Sequence, residues 1–134
     1  MRNKIAIYVL LPFILFGSCK TKKLTLADPR ESIESAIIDC ISLLENKEYE
    51  ALLSKYVYPD DLEKILKDKS MDELIKSFSK GKAERLLKAL KFAKTQEIEY
   101  KENNTVGVIQ LGEGFKGPDE IVFIKKDKLW YIGD

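Results

Sequence analysis

The spacing of apolar residues changes once along this chain, and that change limits the folds open to it. From Ile33 to Ala93 they recur every three or four positions, as on one face of a helix. From Gln96 they recur every second position, as on one face of a strand. No repeat or low-complexity tract interrupts the order. A chain of 134 residues has room for one domain. Helices followed by strands joined through short turns predict the α+β class, with several helices packed on one face of a four-stranded antiparallel meander.

The helical part divides at its capping residues. Asp28-Pro29-Arg30-Glu31 supplies a capping Asp, a Pro at the first helical position and an acid in the first turn. It predicts a helix over residues 29–46 with Ile33, Ile37, Cys40, Ile41 and Leu44 as the apolar stripe. A short helix over residues 48–56 would bury Leu52, Leu53 and Tyr56. Tyr58 precedes Pro59 and is turned away from the helical region, so the pattern breaks there. Asp60-Asp61-Leu62-Glu63 restarts it with Asp60 as cap, and Ser70-Met71-Asp72-Glu73 repeats the capping box before Leu74, Ile75 and Phe78. Gly81 is expected to end that element. The last helix, residues 82–94, sets Ala83, Leu86, Leu87, Leu90 and Ala93 against Arg85, Lys88, Lys91 and Lys94. From Lys80 to Lys94 six basic residues face the single acid Glu84, which suits anionic lipid or an acidic partner, although such a run on a helix is more often simply a solvated face.

Four strands are expected. Residues 97–101 alternate as a half-buried strand, Asn103-Asn104 turns, and residues 105–111 return. Residues 120–125 and 129–132 follow, separated by Lys126-Asp127-Lys128, with Trp130 and Ile132 on the face towards the helices. Gly112-Glu113-Gly114-Phe115-Lys116-Gly117 spells G-x-G-x-x-G. A dinucleotide loop must open a helix whose N-terminus meets the pyrophosphate; here Pro118 and a strand follow, so the glycines read as a hairpin loop.

Little catalytic chemistry is on offer. The chain has no histidine, which removes the commonest general base and the imidazole metal sites. Its 23 basic and 22 acidic residues nearly cancel, so no bulk field draws in nucleic acid. The carboxylate pairs Asp60-Asp61 and Asp119-Glu120 are neighbours in sequence whose side chains diverge, with no third ligand in a calcium-loop spacing. No catalytic residue, metal or cofactor is read from the sequence. Cys40, on the stripe of the first helix, reads as a small buried hydrophobe.

The first residues carry a different message. Arg2 and Lys4 precede an apolar run from Ile5 to Phe16, which as a helix covers roughly 18 Å, short of the ~30 Å hydrocarbon core. A signal peptide fits better than a membrane span. The run ends in Gly17-Ser18-Cys19, which resembles the lipobox of bacterial lipoproteins, with Phe16 where that family most often has Leu. The resemblance implies removal of residues 1–18 and acylation of Cys19. Residues 19–28 would then be a lipidated tether and residues 29–134 the single domain. The mature chain would hold no disulfide, because Cys40 is then the only thiol left to pair. Lys20-Thr21-Lys22-Lys23 would lie against anionic head groups or serve as a solvated tether. A basic stretch after the cysteine favours a periplasm-facing location in the cell envelope.

Helices followed by a small antiparallel sheet ending in Lys126-Asp127-Lys128-Leu129-Trp130-Tyr131-Ile132 resemble the NTF2-like (SnoaL-like) superfamily of cone-shaped domains. Tyr56-Val57-Tyr58-Pro59-Asp60-Asp61-Leu62 is similar to segments of small secreted bacterial proteins of that plan. The resemblance implies a space between helices and concave sheet that takes a ligand, an active site or a partner's side chain. Tyr56, Tyr58, Tyr100 and Trp130 are the residues expected around it. Three functions fit: a non-enzymatic lipid-anchored module that binds a protein or envelope component through its sheet or the Lys88 helix face, a carrier of a small ligand in an aromatic pocket under the sheet, and a cone-type lyase, isomerase or hydrolase using Tyr with Asp or Glu.

Overall fold

The computed structural model describes residues 27–114 and 119–133. The expected signal peptide, Cys19 and the basic tether lie outside these residues, as does the 115–118 stretch of the glycine loop. Five helices precede four strands: α1 (Ile33–Glu45), α2 (Tyr49–Tyr56), α3 (Pro59–Asp68), α4 (Met71–Phe78) and α5 (Lys82–Ala93), then β1 (Glu99–Lys101), β2 (Val106–Gln110), β3 (Glu120–Lys126) and β4 (Leu129–Ile132). The strands form one antiparallel sheet in the order β1-β2-β3-β4. The fold is α+β, as the change of period predicts. Among the described residues no helix is long and apolar enough to cross a membrane.

The entry to α1 differs from expectation. The Asp28-Pro29 start yields only a 3-10 turn, Pro29–Glu31, and Ser32 then goes extended and caps α1 by accepting from Ser35 N at 3.1 Å. Arg30 supplies the reason. Its guanidinium is held by Asp28 at 2.8 Å, donates to Lys55 O at 3.2 Å and lies over the Tyr131 ring at 5.4 Å. The turn is thereby tied to α2 and β4 and pulled off the axis of α1.

Two further boundaries move for local reasons. The third helix begins at Pro59, with Tyr58 as the capping position and Asp60 inside the first turn. Proline at that place gives up an N–H that has no helical partner anyway, and the two Asp carboxylates sit at the positive end of the helix dipole. Gly81 does not close the preceding helix, which stops at Phe78; it is the N-cap of α5, at φ 117°, a conformation that L side chains rarely adopt. The Ser70–Glu73 capping box forms as the sequence predicts, with both reciprocal bonds made.

One side of the sheet and three helices make the core. Cross-strand pairs Ile109↔Ile121, Gly107↔Phe123 and Lys125↔Trp130 share the helix-facing side. There Ile109 and Phe123 meet Ile33 and Cys40 of α1, Leu52 and Tyr56 of α2, and Leu90 of α5, all essentially without exposure. Each large apolar side chain so buried contributes about 1.5–3 kcal/mol. Gly107 marks the closest approach of α1 to the sheet, since a Cβ there would overlap Ile33 Cδ1. The other side of the sheet carries Val108, Val122, Ile124 and Tyr131.

The two ends of the sheet are unlike. At β4 the chain between α2 and α3 adds a short parallel bridge, Val57↔Ile132, with Tyr58 N donating to Ile132 O at 3.1 Å. At the opposite end β1 has only β2 beside it among the described residues. The expected half-buried strand 97–101 is shortened to three residues, all exposed, because only one side of it is covered. The β3–β4 hairpin closes through Asp127 and Lys128, both at positive φ, the twist that a two-residue loop requires.

Candidate functional site

A groove of about 420 Å³ runs between α1 and the uncovered edge of the sheet. Helix α1 contributes Glu34, Ile37 and Ile38, one helical turn of side chains on one side. The end of α5 supplies Ala93 and Lys94, and the connection into β1 supplies Gln96, Glu97, Ile98 and then Tyr100. The floor is apolar: Ile37 and Ala93 belong to the buried core, and Ile98 packs on it. The walls leave apolar surface in water, with Ile38 58% and Tyr100 43% exposed.

Tyr100 leans on Trp130 with ring centroids 5.9 Å apart and planes tilted by 58°. Trp130 is buried, and Lys125 Nζ lies 5.5 Å from the centre of its ring. A buried indole thus supports an exposed phenol at the sheet edge. Partial burial, and after it the nearby Glu34 carboxylate, push the Tyr100 phenol above its ordinary range, so it stays neutral and able to donate at physiological pH. The rim carries Glu34 and Glu97 against Lys94, a net acidic border.

The four aromatic residues expected around one space occupy three places. Tyr100 lines the groove, and Trp130 meets its ring from the core without lining the groove. Tyr56 is a fully buried plug whose hydroxyl donates to Asp39 Oδ2 at 2.7 Å, the oxygen that also takes Lys55 Nζ at 2.7 Å. Tyr58 stands on the far side of the sheet, edge-on to Tyr131 at 6.2 Å, with Lys126 Nζ 5.5 Å from its ring centre and bound to Asp60 at 2.9 Å. The space between the helices and the sheet is occupied by core side chains, Ile33, Leu90, Ile109 and Phe123 among them.

The chemistry available at these places is that of contact. Tyr56 has a carboxylate beside it, but burial first and that carboxylate second raise its phenol far above the ordinary value, which holds the proton on oxygen and unfits it as a base. Burial likewise raises the Cys40 thiol well beyond its ordinary range, so it stays a small packed hydrophobe. Among the described residues no cluster of three or more Cys, Asp or Glu could hold a metal ion.

Ile38, Glu34, Ile98 and Glu97 were not among the residues expected from sequence. The usable signal was Ile38. It follows Ile37 but lies off the stripe Ile33, Ile37, Cys40, Leu44, so a large β-branched apolar residue stands where a solvated side chain would serve.

No protein-family model matches the chain, and no curated protein or solved structure is significantly similar to it.

Proposed function

We propose that this protein is a lipid-anchored module of the bacterial cell envelope that binds an extended segment of another envelope protein along β1, without catalysing a reaction. The observation that carries the binding half is the junction of an uncovered sheet edge with an apolar groove. A strand added beside β1 would use the backbone groups that no described strand pairs, and alternate side chains would drop onto Ile38, Ile98 and Tyr100. The acidic rim of Glu34 and Glu97 favours a segment that also carries basic residues. The anchoring half rests on Arg2 and Lys4, the apolar run to Phe16 and Gly17-Ser18-Cys19, whose resemblance to a lipobox supports acylation at Cys19 and a periplasm-facing domain.

Within this reading the domain is NTF2-like, on the strength of its order of elements and the Trp130 strand that ends its sheet. It uses its sheet edge and not an internal cavity. The carrier alternative would place its apolar ligand in the same groove against Tyr100. The enzymatic alternative needs a tyrosine beside a carboxylate; the described residues offer Tyr56 with Asp39, a buried packed contact, and Tyr100 with Glu34 on the groove rim.

Two measurements on protein from native membranes test the proposal. Mass spectrometry of the N-terminal peptide is expected to show acyl chains on Cys19, and the Cys19→Ala variant is expected to lose them. A photo-crosslinker in place of Ile38 is expected to capture one protein. The same crosslinker in place of Leu66, on the distant α3 helix, is expected to capture none. A lipidated chain that yields no crosslink from position 38 removes the groove as the site; an unmodified Cys19 removes the anchor.

A further inference from the structure

Two stretches beyond residue 18 carry a marked excess of positive charge. One is the tether, with Lys20, Lys22 and Lys23; the other is the stretch from Lys80 to Lys94, with six basic residues against Glu84. The rest of residues 24–134 is strongly acidic, 12 basic against 21 acidic side chains. On α5, Lys88 stands at the middle of the face turned away from the core. Arg85 and Lys91 lie three residues to either side, and Lys82 and Lys94 flank them, all exposed. Lys91 Nζ meets Glu45 at 3.0 Å, a solvated contact. Among the described residues the other four have no carboxylate within ion-pair distance.

Helices α1 and α5 lie side by side. Glu34 and Ile38, in the first turns of α1, share the groove with Ala93 and Lys94. The start of α1 therefore lies beside the C-terminal end of α5, while the turn Pro29–Glu31 before it is held against α2 and β4. The nine residues 20–28 can span at most about 30 Å, and α5 is only about 18 Å long, so a chain held at Cys19 keeps the whole helix within reach of the bilayer surface.

Resting on the reading of Cys19 as an acylated anchor, we propose that the Arg85–Lys88–Lys91 face of α5 is the surface by which the anchored domain lies on an anionic lipid bilayer. Basic side chains near such a surface are attracted within about one Debye length, and attraction adds up over the five cations of the helix and the three of the tether. The acidic remainder is repelled by the same surface. The lopsided distribution thus turns the domain as well as holding it.

The test uses the processed protein purified from membranes and reconstituted into vesicles of phosphatidylcholine alone or of equal parts phosphatidylcholine and phosphatidylglycerol. Lysines are acetylated with a water-soluble reagent and read by mass spectrometry, while flotation and the mass of the Cys19 peptide report the anchor independently. Acetylation of Lys82, Lys88, Lys91 and Lys94 is expected to slow about tenfold in the mixed vesicles only, and to recover at high salt. Lys64 and Lys67 on α3 should react alike in both. Arg85→Glu with Lys88→Glu, both exposed and outside the core, should restore labelling of Lys91 and Lys94. Equal labelling in the two vesicles, with Cys19 lipidated and the protein floating, overturns the proposal. So does protection found in native membranes but not in pure lipid, which would assign the face to an acidic protein. An unmodified Cys19 with no flotation fails the anchor itself, and this proposal falls with it.

Discussion

Tyr56 Oη and Lys55 Nζ converge on a single oxygen, Oδ2 of Asp39, each at 2.7 Å. This joins α1 to α2 by two adjacent residues of one helix, one buried and one partly in water. Removing the phenol hydroxyl leaves Asp39 still paired with Lys55. Removing the carboxylate leaves a buried hydroxyl without an acceptor, which costs more than a missing bond. Urea unfolding is therefore expected to rank Asp39→Ala, at about 2–3 kcal/mol, above Tyr56→Phe, at about 1–2 kcal/mol. Equal losses would mean that solvent replaces the carboxylate.

Alkaline pH should unfold the domain through Tyr56 and Cys40. Both are held protonated in the folded state by burial and then by Asp39, above ordinary values of 10.0 and 9.0. The unfolded chain releases these protons on passing those values, whereas the folded chain keeps them. Stability is fully present below about pH 9 and falls as pH rises, by about 1.4 kcal/mol per unit for each group. Melting temperature against pH is expected to drop more gently above pH 9 in Cys40→Ala than in the wild type. An unchanged slope would show the thiol to be reachable by solvent.

Gly107 and Ile33 fix how closely α1 approaches the sheet. A methyl group at position 107 would overlap Ile33 Cδ1 and crowd Ile98, so Gly107→Ala is expected to cost about 1–3 kcal/mol. Ile33→Val removes the offending carbon and alone costs about 0.5–1.5 kcal/mol. The double variant should be less destabilised than the two added together. Strict additivity would locate the strain elsewhere.

Helices α3 and α4 contain no buried residue, whereas α1 and α5 are anchored by Ile33, Cys40, Leu90 and Ala93. Hydrogen exchange of the α3 and α4 amides is expected well before that of α1 and α5. Ser70→Ala, which removes the capping box, should speed exchange in α4 and cost about 1 kcal/mol without altering α1. Uniform protection across all five helices would refute this ranking.

Ile38→Asp places a charge in the groove at a position already in water, so stability should change by no more than about 0.5 kcal/mol. If the groove takes an apolar strand, the same substitution abolishes capture of the partner by crosslinking from Tyr100. Undiminished capture would place the contact elsewhere. Trp130, the chain's one tryptophan, is buried, so its blue-shifted emission certifies folding in each variant.

The legible parts of the sequence were those decided by local chemistry. The change of period at Gln96, the Ser70 capping box and the Asn103-Asn104 turn depend on neighbours in the chain and are where the residues put them, while the expected Lys126-Asp127-Lys128 turn tightens to Asp127-Lys128 with Lys126 kept in β3. Pro29 failed as a helix start because Arg30 finds Lys55 and Tyr131, 25 and 101 positions away, and no local rule carries those partners. The groove was hidden for the same reason. Tyr100 and Trp130 were singled out as aromatic, but their meeting depends on the pairing of four strands, and Ile38 joins them only because α5 lies alongside α1. Tyr56 and Tyr58, two positions apart, point into different compartments because the chain turns from helix into a sheet bridge between them.

The single covered end of the sheet sets a ceiling on assembly. Among the described residues Val57 and Tyr58 pair with Ile132 on the outer side of β4, whereas β1 has no strand beyond it, so β1 is the edge more open to a visiting strand. Two molecules meeting there edge to edge would consume each other's one vacancy and stop as a closed pair. Growth into a ribbon needs two sticky ends, and a molecule with one can be extended once but never polymerised. Pairing through the β1 edge alone thus ends at two molecules.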